Sequence, residues 1–263
     1  MKLQIIGGGK MGEALLGGML SSGWASAAEI AVVELSEDRR TELASAYPGL
    51  VVGDAVHEGV DALVAVKPQY VEGVVASLGE AKSTRLLSVA AGITTASMEA
   101  VAPDCRVVRC MPNTPALVGE GASAIAAGSK ALDGDLDWAE SILSEVGMVV
   151  RVDEGDIDAV TGVSGSGPAY VFHMAEAMMA AGANAGLAPE VADALTRQTI
   201  LGAATLLSQS GEDPAVLRQN VTSPGGTTAA GLAVFAEGDF VGLVDSVVKA
   251  AVARSVELGG ENP

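Results

Sequence analysis

Aromatic residues are scarce in this 263-residue chain, at 3%, although hydrophobic residues make up 49% of it. Its core must therefore be built from Ala, Val, Leu, Ile and Met. No stretch of about 18 uninterrupted apolar residues occurs, so we expect no membrane span. The first apolar residues are interrupted at once by glycines, unlike a secretory leader, and we expect a cytoplasmic protein.

Positive charge is also scarce. Fifteen Lys and Arg residues stand against 33 Asp and Glu residues, which gives a formal net charge of -18. Proteins hold nucleic-acid backbones through clustered Lys and Arg side chains. The charge balance therefore predicts no nucleic-acid partner.

The chain has only two cysteines, Cys105 and Cys110. On a strand, positions five apart point to opposite faces, so we expect no disulfide between them. No further Cys or His pair is available to complete a metal site, and none is predicted. We interpret both as small buried residues of a protein in a reducing compartment.

Short apolar runs alternate with helix-like stretches over the first 150 residues. Five runs rich in β-branched residues predict buried parallel strands at Leu3–Ile6, Ile30–Glu34, Ala62–Val66, Leu86–Ala90 and Arg106–Cys110. Ser36, Pro68 and Thr94 mark helix starts between them. A helix at Asp133–Gly147 and a last strand at Met148–Val152 follow. This alternation indicates a doubly wound, mostly parallel α/β sheet.

Beyond about residue 155 the pattern becomes helical. Proline or glycine separates five predicted helices, at Pro168–Gly186, Pro189–Ser210, Pro214–Val221, Thr227–Gly238 and Phe240–Gly259. The stretch Tyr170–Leu187 is apolar almost all round, and such a helix must be covered on all sides. We therefore predict two domains, residues 1–152 and an all-helical 153–263. Residues 160–263 should interleave with a partner subunit in a homodimer, and a higher oligomer built from dimers stays open.

The segment Gly7-Gly8-Gly9-Lys10-Met11-Gly12 has the spacing G-x-G-x-x-G between a predicted strand and a predicted helix. Gly7 makes the tight turn, Gly9 lets the backbone approach a pyrophosphate, and Gly12 lets helix and strand pack closely. The helix N-terminus then holds the phosphates. The context predicts a Rossmann-type domain that binds NADPH or NADH. Its first cofactor contacts would be Ile6, Gly7, Gly9, Lys10, Met11 and Gly12.

Glu34 stands at the end of the second predicted strand, 22 residues after Gly12. A carboxylate there accepts hydrogen bonds from the adenosine ribose and repels a 2′-phosphate. Ser36, Arg39 and Arg40 follow closely and could bind that phosphate. The residues therefore leave NADH and NADPH open, with Glu34 expected to weaken NADPH binding.

Other candidate cofactor contacts follow later strands. They are Ala65, Val66, Lys67 and Pro68 after one strand, Ala91 after the next, and Asn113 after the third. Ligands of open parallel sheets bind at the carboxyl ends of the strands, so we expect these loops to rim one pocket.

The segment Asn220–Thr228 is a candidate anion site in the helical half. Ser223 and Thr227 are good helix caps, and Gly225-Gly226 exposes backbone amides beside a helix start. With no Lys or Arg inside the loop, a carboxylate fits better than a phosphate. A loop that only caps its own helix is the alternative. The segment Ser164–Tyr170 is similar and either bounds a pocket or allows tight helix packing.

Residues 151–263 contain one Lys, Lys249, and one His, His173. Enzymes that move a hydride at a carbon–oxygen bond usually need a positioned Lys, His or Tyr. We expect Lys249 in mid-helix and His173 in the core, so neither suits that task. Reduction of a carbon–nitrogen double bond has less need of such a residue, because the nitrogen can be protonated before the hydride arrives. This favours an imine reductase over a hydroxyacid dehydrogenase, and the second anion loop argues against a non-catalytic dinucleotide sensor.

The chain resembles the pyrroline-5-carboxylate reductase family along its whole length. The motifs that carry the resemblance are Gly7–Gly12, Ala65–Pro68, Ala90–Gly92, Met111–Pro115, Ser164–Tyr170 and Ser223–Thr228. The resemblance implies reduction of 1-pyrroline-5-carboxylate to L-proline, the last step of proline biosynthesis. The hydride would come from the nicotinamide C4.

The resemblance also implies individual roles. The substrate carboxylate would be held by a loop from the neighbouring subunit, through Asn220, Val221, Ser223, Gly226, Thr227 and Thr228. Thr228 would hydrogen-bond the ring nitrogen as the catalytic residue. Ser36 matches a position that contacts the adenosine phosphate. Glu34 departs from the family pattern, which puts the cofactor preference in doubt and not the reaction.

Overall fold

The computed structural model describes residues 1–261, with side chains to residue 260. The chain forms two compact units, one of residues 1–166 together with the chain from Ala250 onward, the other Gly167–Lys249. The segment after residue 152 belongs to the first unit because Ile157 is buried against Ala124 and Ala126. The predicted domain border at 152/153 stays a prediction.

The first unit is built on one eight-stranded sheet. Its strands are β1 (Leu3–Ile6), β2 (Ile30–Val33), β3 (Val51–Gly53), β4 (Ala62–Val64), β5 (Arg85–Ser88), β6 (Arg106–Met111), β7 (Gly121–Ala127) and β8 (Gly147–Arg151). Their order is β3-β2-β1-β4-β5-β6-β7-β8. Strands β1 to β6 are parallel, while β7 runs antiparallel to β6 and β8 runs parallel to β7. The strand order reverses between β1 and β4, where such sheets bind dinucleotides.

The predicted mostly parallel sheet is confirmed, and two of its strands were missed. β3 is a three-residue edge strand, too short to give a periodic signal. β7 has the sequence Gly-Ala-Ser-Ala-Ile-Ala-Ala, whose small residues have weak strand preference. The predicted last strand is β8, shifted by one residue.

Six α-helices lie in the sheet-containing part of the first unit: α1 (Lys10–Ser22), α2 (Glu37–Ala46), α3 (Val71–Glu80), α4 (Thr95–Val101), α5 (Asp133–Leu143) and α6 (Ile157–Val160). Two predicted helix starts are confirmed by their caps. The Ser36 and Thr94 hydroxyls accept backbone N–H bonds at 3.3 and 3.1 Å. Helix α5 ends at Leu143 instead of continuing to Gly147, since Gly147 begins β8 with its backbone against Gly121.

Helices cover both faces of the sheet, which therefore has two cores. One contains residues of α1 and α5 together with Cys110. The other contains residues of α3 and α4 together with Cys105. Both thiols are free and buried on opposite faces, as predicted. Burial raises the pKa of the Cys110 thiol to about 12, so it stays protonated at neutral pH.

The second unit is helical: α7 (Gly167–Asn184), α8 (Pro189–Ser210), α9 (Pro214–Asn220), α10 (Thr227–Glu237) and the start of α11 (Phe240–Glu261). Within Gly167–Lys249, only Ala192 and Thr196 are buried. The large apolar side chains that stay exposed include Phe172, Leu195, Leu201, Leu206, Val234 and Phe235. None of the described helices is long and apolar enough to cross a membrane.

Candidate active site

The glycine-rich loop lies between β1 and α1, where the strand order reverses. Gly7 has φ +103°, and a Cβ there would lie 2.7 Å from the carbonyl oxygen of Ala65. A Cβ on Gly12 would lie 2.2 Å from the carbonyl oxygen of Gly7, so this helix start tolerates no side chain. Around Gly9, by contrast, a Cβ would meet no atom within 4 Å. The loop therefore has a tight turn, a packed helix start and open space, and it fits a pyrophosphate.

The loops after β4 and β5 lie along the same sheet edge. The Ala65 N–H donates to the Ile6 carbonyl oxygen at 2.8 Å, which places β4 beside the glycine-rich loop. Ala91 is exposed in the next loop. Lys10 and Lys67 are exposed, and neither ammonium group has a partner within the described part of the chain. Lys10 begins α1 directly after the glycine-rich loop, and Lys67 follows β4, so both belong to segments that border the predicted pyrophosphate site.

The Glu34 carboxylate bridges two backbone donors at the end of β2. Its Oε2 accepts from the Gly8 N–H and its Oε1 accepts from the Ser36 N–H, both at 2.9 Å. Ser36 uses its hydroxyl as the N-cap of α2. Glu34 therefore faces the glycine-rich loop, and its contact with a ribose stays a prediction.

Arg39 and Arg40 make contacts inside the first unit. Arg39 donates from Nε to the Gly8 carbonyl oxygen at 2.7 Å, and its Nη atoms bond Glu42 and Glu13. Hydrogen bonds to Glu42 and then Glu13 raise the pKa of Arg39. Arg40 donates from Nη1 to two backbone carbonyl oxygens of the preceding turn, both at 2.8 Å. Both guanidinium groups already have acceptors.

Asn113 is buried and uses both ends of its amide. Its Oδ1 accepts from the Ala122 N–H at 2.8 Å, and its Nδ2 donates to the Ser164 carbonyl oxygen at 3.1 Å. Asn113 thus braces a π-helical turn at Thr161–Gly165, and its cofactor contact stays a prediction. A Cβ on Gly165 would lie 2.5 Å from the Met111 Cε, which supports tight packing for that glycine.

One ion pair at this edge was not predicted. Arg109 of β6 is buried, and its Nη1 lies 3.2 Å from a Glu154 oxygen. The same carboxylate accepts from the Thr95 N–H at 2.7 Å, at the start of α4. Glu154 therefore anchors the helix that follows the Ala91 loop. An Arg within an apolar strand signals the need for an acidic partner, but the sequence does not identify which one.

The candidate anion site Asn220–Thr228, which we call the carboxylate loop, contains a type II turn followed by a helix start. The Gly226 N–H donates to the Ser223 carbonyl oxygen at 3.0 Å, with Pro224 and Gly225 between them. Gly225 has φ +69°, which this turn requires at its third position. The predicted capping by Ser223 and Thr227 is wrong. The N-cap of α10 is Gly226, which has no side chain to bond the first N–H groups of the helix.

The candidate catalytic hydroxyl belongs to Thr228, the second residue of α10. Thr228 is exposed, and its hydroxyl makes no hydrogen bond with any described residue. The Thr222 hydroxyl differs, since it donates to the Arg218 carbonyl oxygen at 2.6 Å. Asn220 ends α9, and Val221 is exposed beside it. The loop thus offers backbone N–H groups at a helix start next to a hydroxyl. Together they suit a ligand that carries a carboxylate close to a second polar atom.

Neither basic residue considered for proton transfer in the second unit is buried. The prediction of a core position for His173 is wrong, because its side chain is 87% exposed and bonds Glu176 at 3.2 Å. Lys249 lies in mid-helix, as predicted, and pairs with Asp245 at 2.7 Å. Hydroxyl groups and backbone N–H groups therefore remain the candidate substrate-binding donors of this unit.

Two family sequence models match the chain. Residues 154–258 match the family described as "Pyrroline-5-carboxylate reductase dimerisation". Residues 2–92 match the family described as "NADP oxidoreductase coenzyme F420-dependent". The two matches cover separate parts of the chain.

Individual relatives extend over nearly the whole chain. A pyrroline-5-carboxylate reductase of Synechocystis is 44% identical, covering 98% of both chains. Among solved structures, a pyrroline-5-carboxylate reductase from Coxiella burnetii has TM-score 0.90 and 33% identity, covering 98% of both chains. A pyrroline carboxylate reductase from Plasmodium falciparum, solved with NADP bound, has TM-score 0.83 and 28% identity over 98% of both chains. The likeness therefore holds for sequence and fold together.

Proposed function

Because this chain belongs to the pyrroline-5-carboxylate reductase family, we propose that it reduces 1-pyrroline-5-carboxylate to L-proline with NADPH or NADH, as the last step of proline biosynthesis. The observation that carries the proposal is the start of α10, where unbonded backbone donors and the Thr228 hydroxyl lie side by side. That pair matches a substrate with a carboxylate next to a ring nitrogen.

Separate groups of residues hold the dinucleotide and the substrate. When bound, the dinucleotide supplies a hydride from its nicotinamide C4 to the ring carbon of the C=N bond. The glycine-rich loop and the start of α1 hold its pyrophosphate, with Lys10 and Lys67 nearby. The N–H groups at the start of α10 bind the substrate carboxylate, and Thr228 hydrogen-bonds the ring nitrogen. A hydroxyl is sufficient there because an imine nitrogen can be protonated before reduction.

A steady-state assay tests this function directly. We expect loss of NADPH or NADH absorbance to depend on added pyrroline-5-carboxylate and to saturate with it, with L-proline as the product. Turnover of a 2-keto acid without turnover of pyrroline-5-carboxylate would instead favour the hydroxyacid dehydrogenase reading.

We include a homodimer and a cytoplasmic location in the proposal. The match to a dimerisation family and the exposed apolar side chains of the second unit support a partner subunit. In the dimer, the carboxylate loop would serve the dinucleotide of the neighbouring subunit. Two buried free thiols fit a reducing compartment.

The dimer can be tested with two matched leucine substitutions. Leu201 of α8 is 60% exposed in the single chain, and Leu132 of the first unit is 63% exposed. Obligate interfaces bury about 2,000 Å² or more and are largely apolar. We expect Leu201→Glu to shift sedimentation from dimer to monomer, while Leu132→Glu remains dimeric. A stable wild-type monomer at micromolar concentration would refute the dimer.

A further inference from the structure

The structure points to an unequal use of the two dinucleotides. We propose that Glu34 makes this chain prefer NADH, because its carboxylate holds the place that the 2′-phosphate of NADPH would need. The proposal rests on the reductase function above and concerns the adenosine end of the cofactor site.

The first observation is the fixed position of the Glu34 carboxylate. Two backbone N–H groups, from Gly8 and Ser36, hold one oxygen each at 2.9 Å. One of these donors belongs to the glycine-rich loop itself, so the negative charge lies against the cofactor loop. Each carboxylate oxygen keeps a further lone pair as an acceptor. A ribose hydroxyl can donate to it, whereas an ionised phosphate oxygen cannot.

The second observation is the engagement of the nearby cations. A 2′-phosphate is usually accommodated by an arginine close to the ribose. Here Arg39 is held by Gly8, Glu13 and Glu42. Arg40 is turned onto backbone carbonyl oxygens. Every nitrogen of the Arg39 guanidinium therefore already bonds an acceptor, whereas Arg40 uses Nη1 alone and could still offer its other nitrogens to a phosphate.

The third observation concerns the backbone donors themselves. A phosphate beside a helix start is normally bound by backbone N–H groups. At this position the Gly8 and Ser36 N–H groups already donate to Glu34. A 2′-phosphate would therefore have to displace a carboxylate to reach them. The Glu34 carboxylate therefore disfavours a 2′-phosphate in two ways: it repels the negative charge, and it occupies the N–H donors that would bind it.

We expect NADPH to bind about tenfold more weakly than NADH, since a phosphate with close to two charges would lie beside a carboxylate. The test is isothermal titration calorimetry of each dinucleotide, without substrate, on wild type and two charge-matched variants. Glu34→Gln removes the charge while keeping the shape. Glu37→Gln removes one charge from the first turn of α2, where Glu37 is exposed and its side chain bonds no described residue.

The expected result is a ratio of dissociation constants that falls to about twofold in Glu34→Gln and stays near tenfold in Glu37→Gln. Equal movement in both variants would show a general charge effect and overturn the proposal. Equal wild-type affinity for the two dinucleotides would overturn the preference while leaving the reductase function standing. Failure of the wild type to bind either one would overturn both. Thermal melting of each variant checks that the fold is retained.

Discussion

Thr228→Val should lower turnover about a hundredfold while the protein still folds, dimerises and binds dinucleotide. Valine keeps the β-branched shape of threonine and removes only the hydroxyl, which bonds no described residue in the free chain. A hydrogen bond that strengthens in the transition state is typically worth about 3 kcal/mol, close to two powers of ten in rate. Steady-state kinetics with pyrroline-5-carboxylate give the comparison.

Two further substitutions separate chemistry from structure at this position. Thr228→Ser keeps a hydroxyl and should retain most of the turnover. Thr222→Val makes the same exchange in the same loop, at a hydroxyl already bonded to the Arg218 carbonyl oxygen, and should stay within about threefold of wild type. A loss of only a fewfold in Thr228→Val would mean that water or another group makes the hydrogen bond to the nitrogen. Loss of the dimer would instead show a structural role.

Alanine should weaken dinucleotide binding at two glycines of the same loop, but with very different losses of stability. At Gly12 the new methyl would meet the Gly7 carbonyl oxygen at 2.2 Å. We expect Gly12→Ala to lower the free energy of unfolding by about 3 kcal/mol and to abolish dinucleotide binding. At Gly9 the methyl would meet no protein atom, but it would enter the space proposed for the pyrophosphate. Gly9→Ala should lose less than about 1 kcal/mol of stability and bind NADH about tenfold more weakly or worse.

Urea denaturation and calorimetric titration measure the two effects separately. Gly73→Ala is the control, because Gly73 is exposed within α3 and a Cβ there has open space. It should be neutral or stabilising, since alanine favours helices over glycine by about 1 kcal/mol. Stable Gly12→Ala protein with normal NADH affinity would contradict the packing role of that glycine.

The sequence predicted those parts of the fold that local residues determine. Buried strands of a parallel sheet are continuous β-branched runs, so β1, β2, β4, β5 and β6 were recognisable. β7 was missed because its alanines and serine carry little strand preference. It becomes a strand by pairing with β6, a contact between distant residues that no local pattern encodes.

The same distinction applies to the site. The glycine-rich loop was predictable, because the reason for each glycine (a tight turn, a close approach or close packing) lies in the spacing of a few neighbouring residues. The partners of Asn113 and Glu154 were not, because they lie 9 to 59 positions away along the chain. His173 was assigned to the core because its helix is apolar nearly all round. In the single chain that face is left open, and the histidine is exposed.

The turn at Ser223–Gly226 has a consequence for how tightly a small substrate can be held. Proline at the second turn position presets one backbone angle, and glycine at the third occupies a conformation that costs other residues energy. Freezing one residue of a mobile loop costs roughly 1–2 kcal/mol of conformational entropy. In this turn the entropy cost is met when the protein folds and not when a substrate binds. A ligand with few atoms has little interaction energy to offer, and a loop that is already ordered uses none of that energy to fix its own backbone.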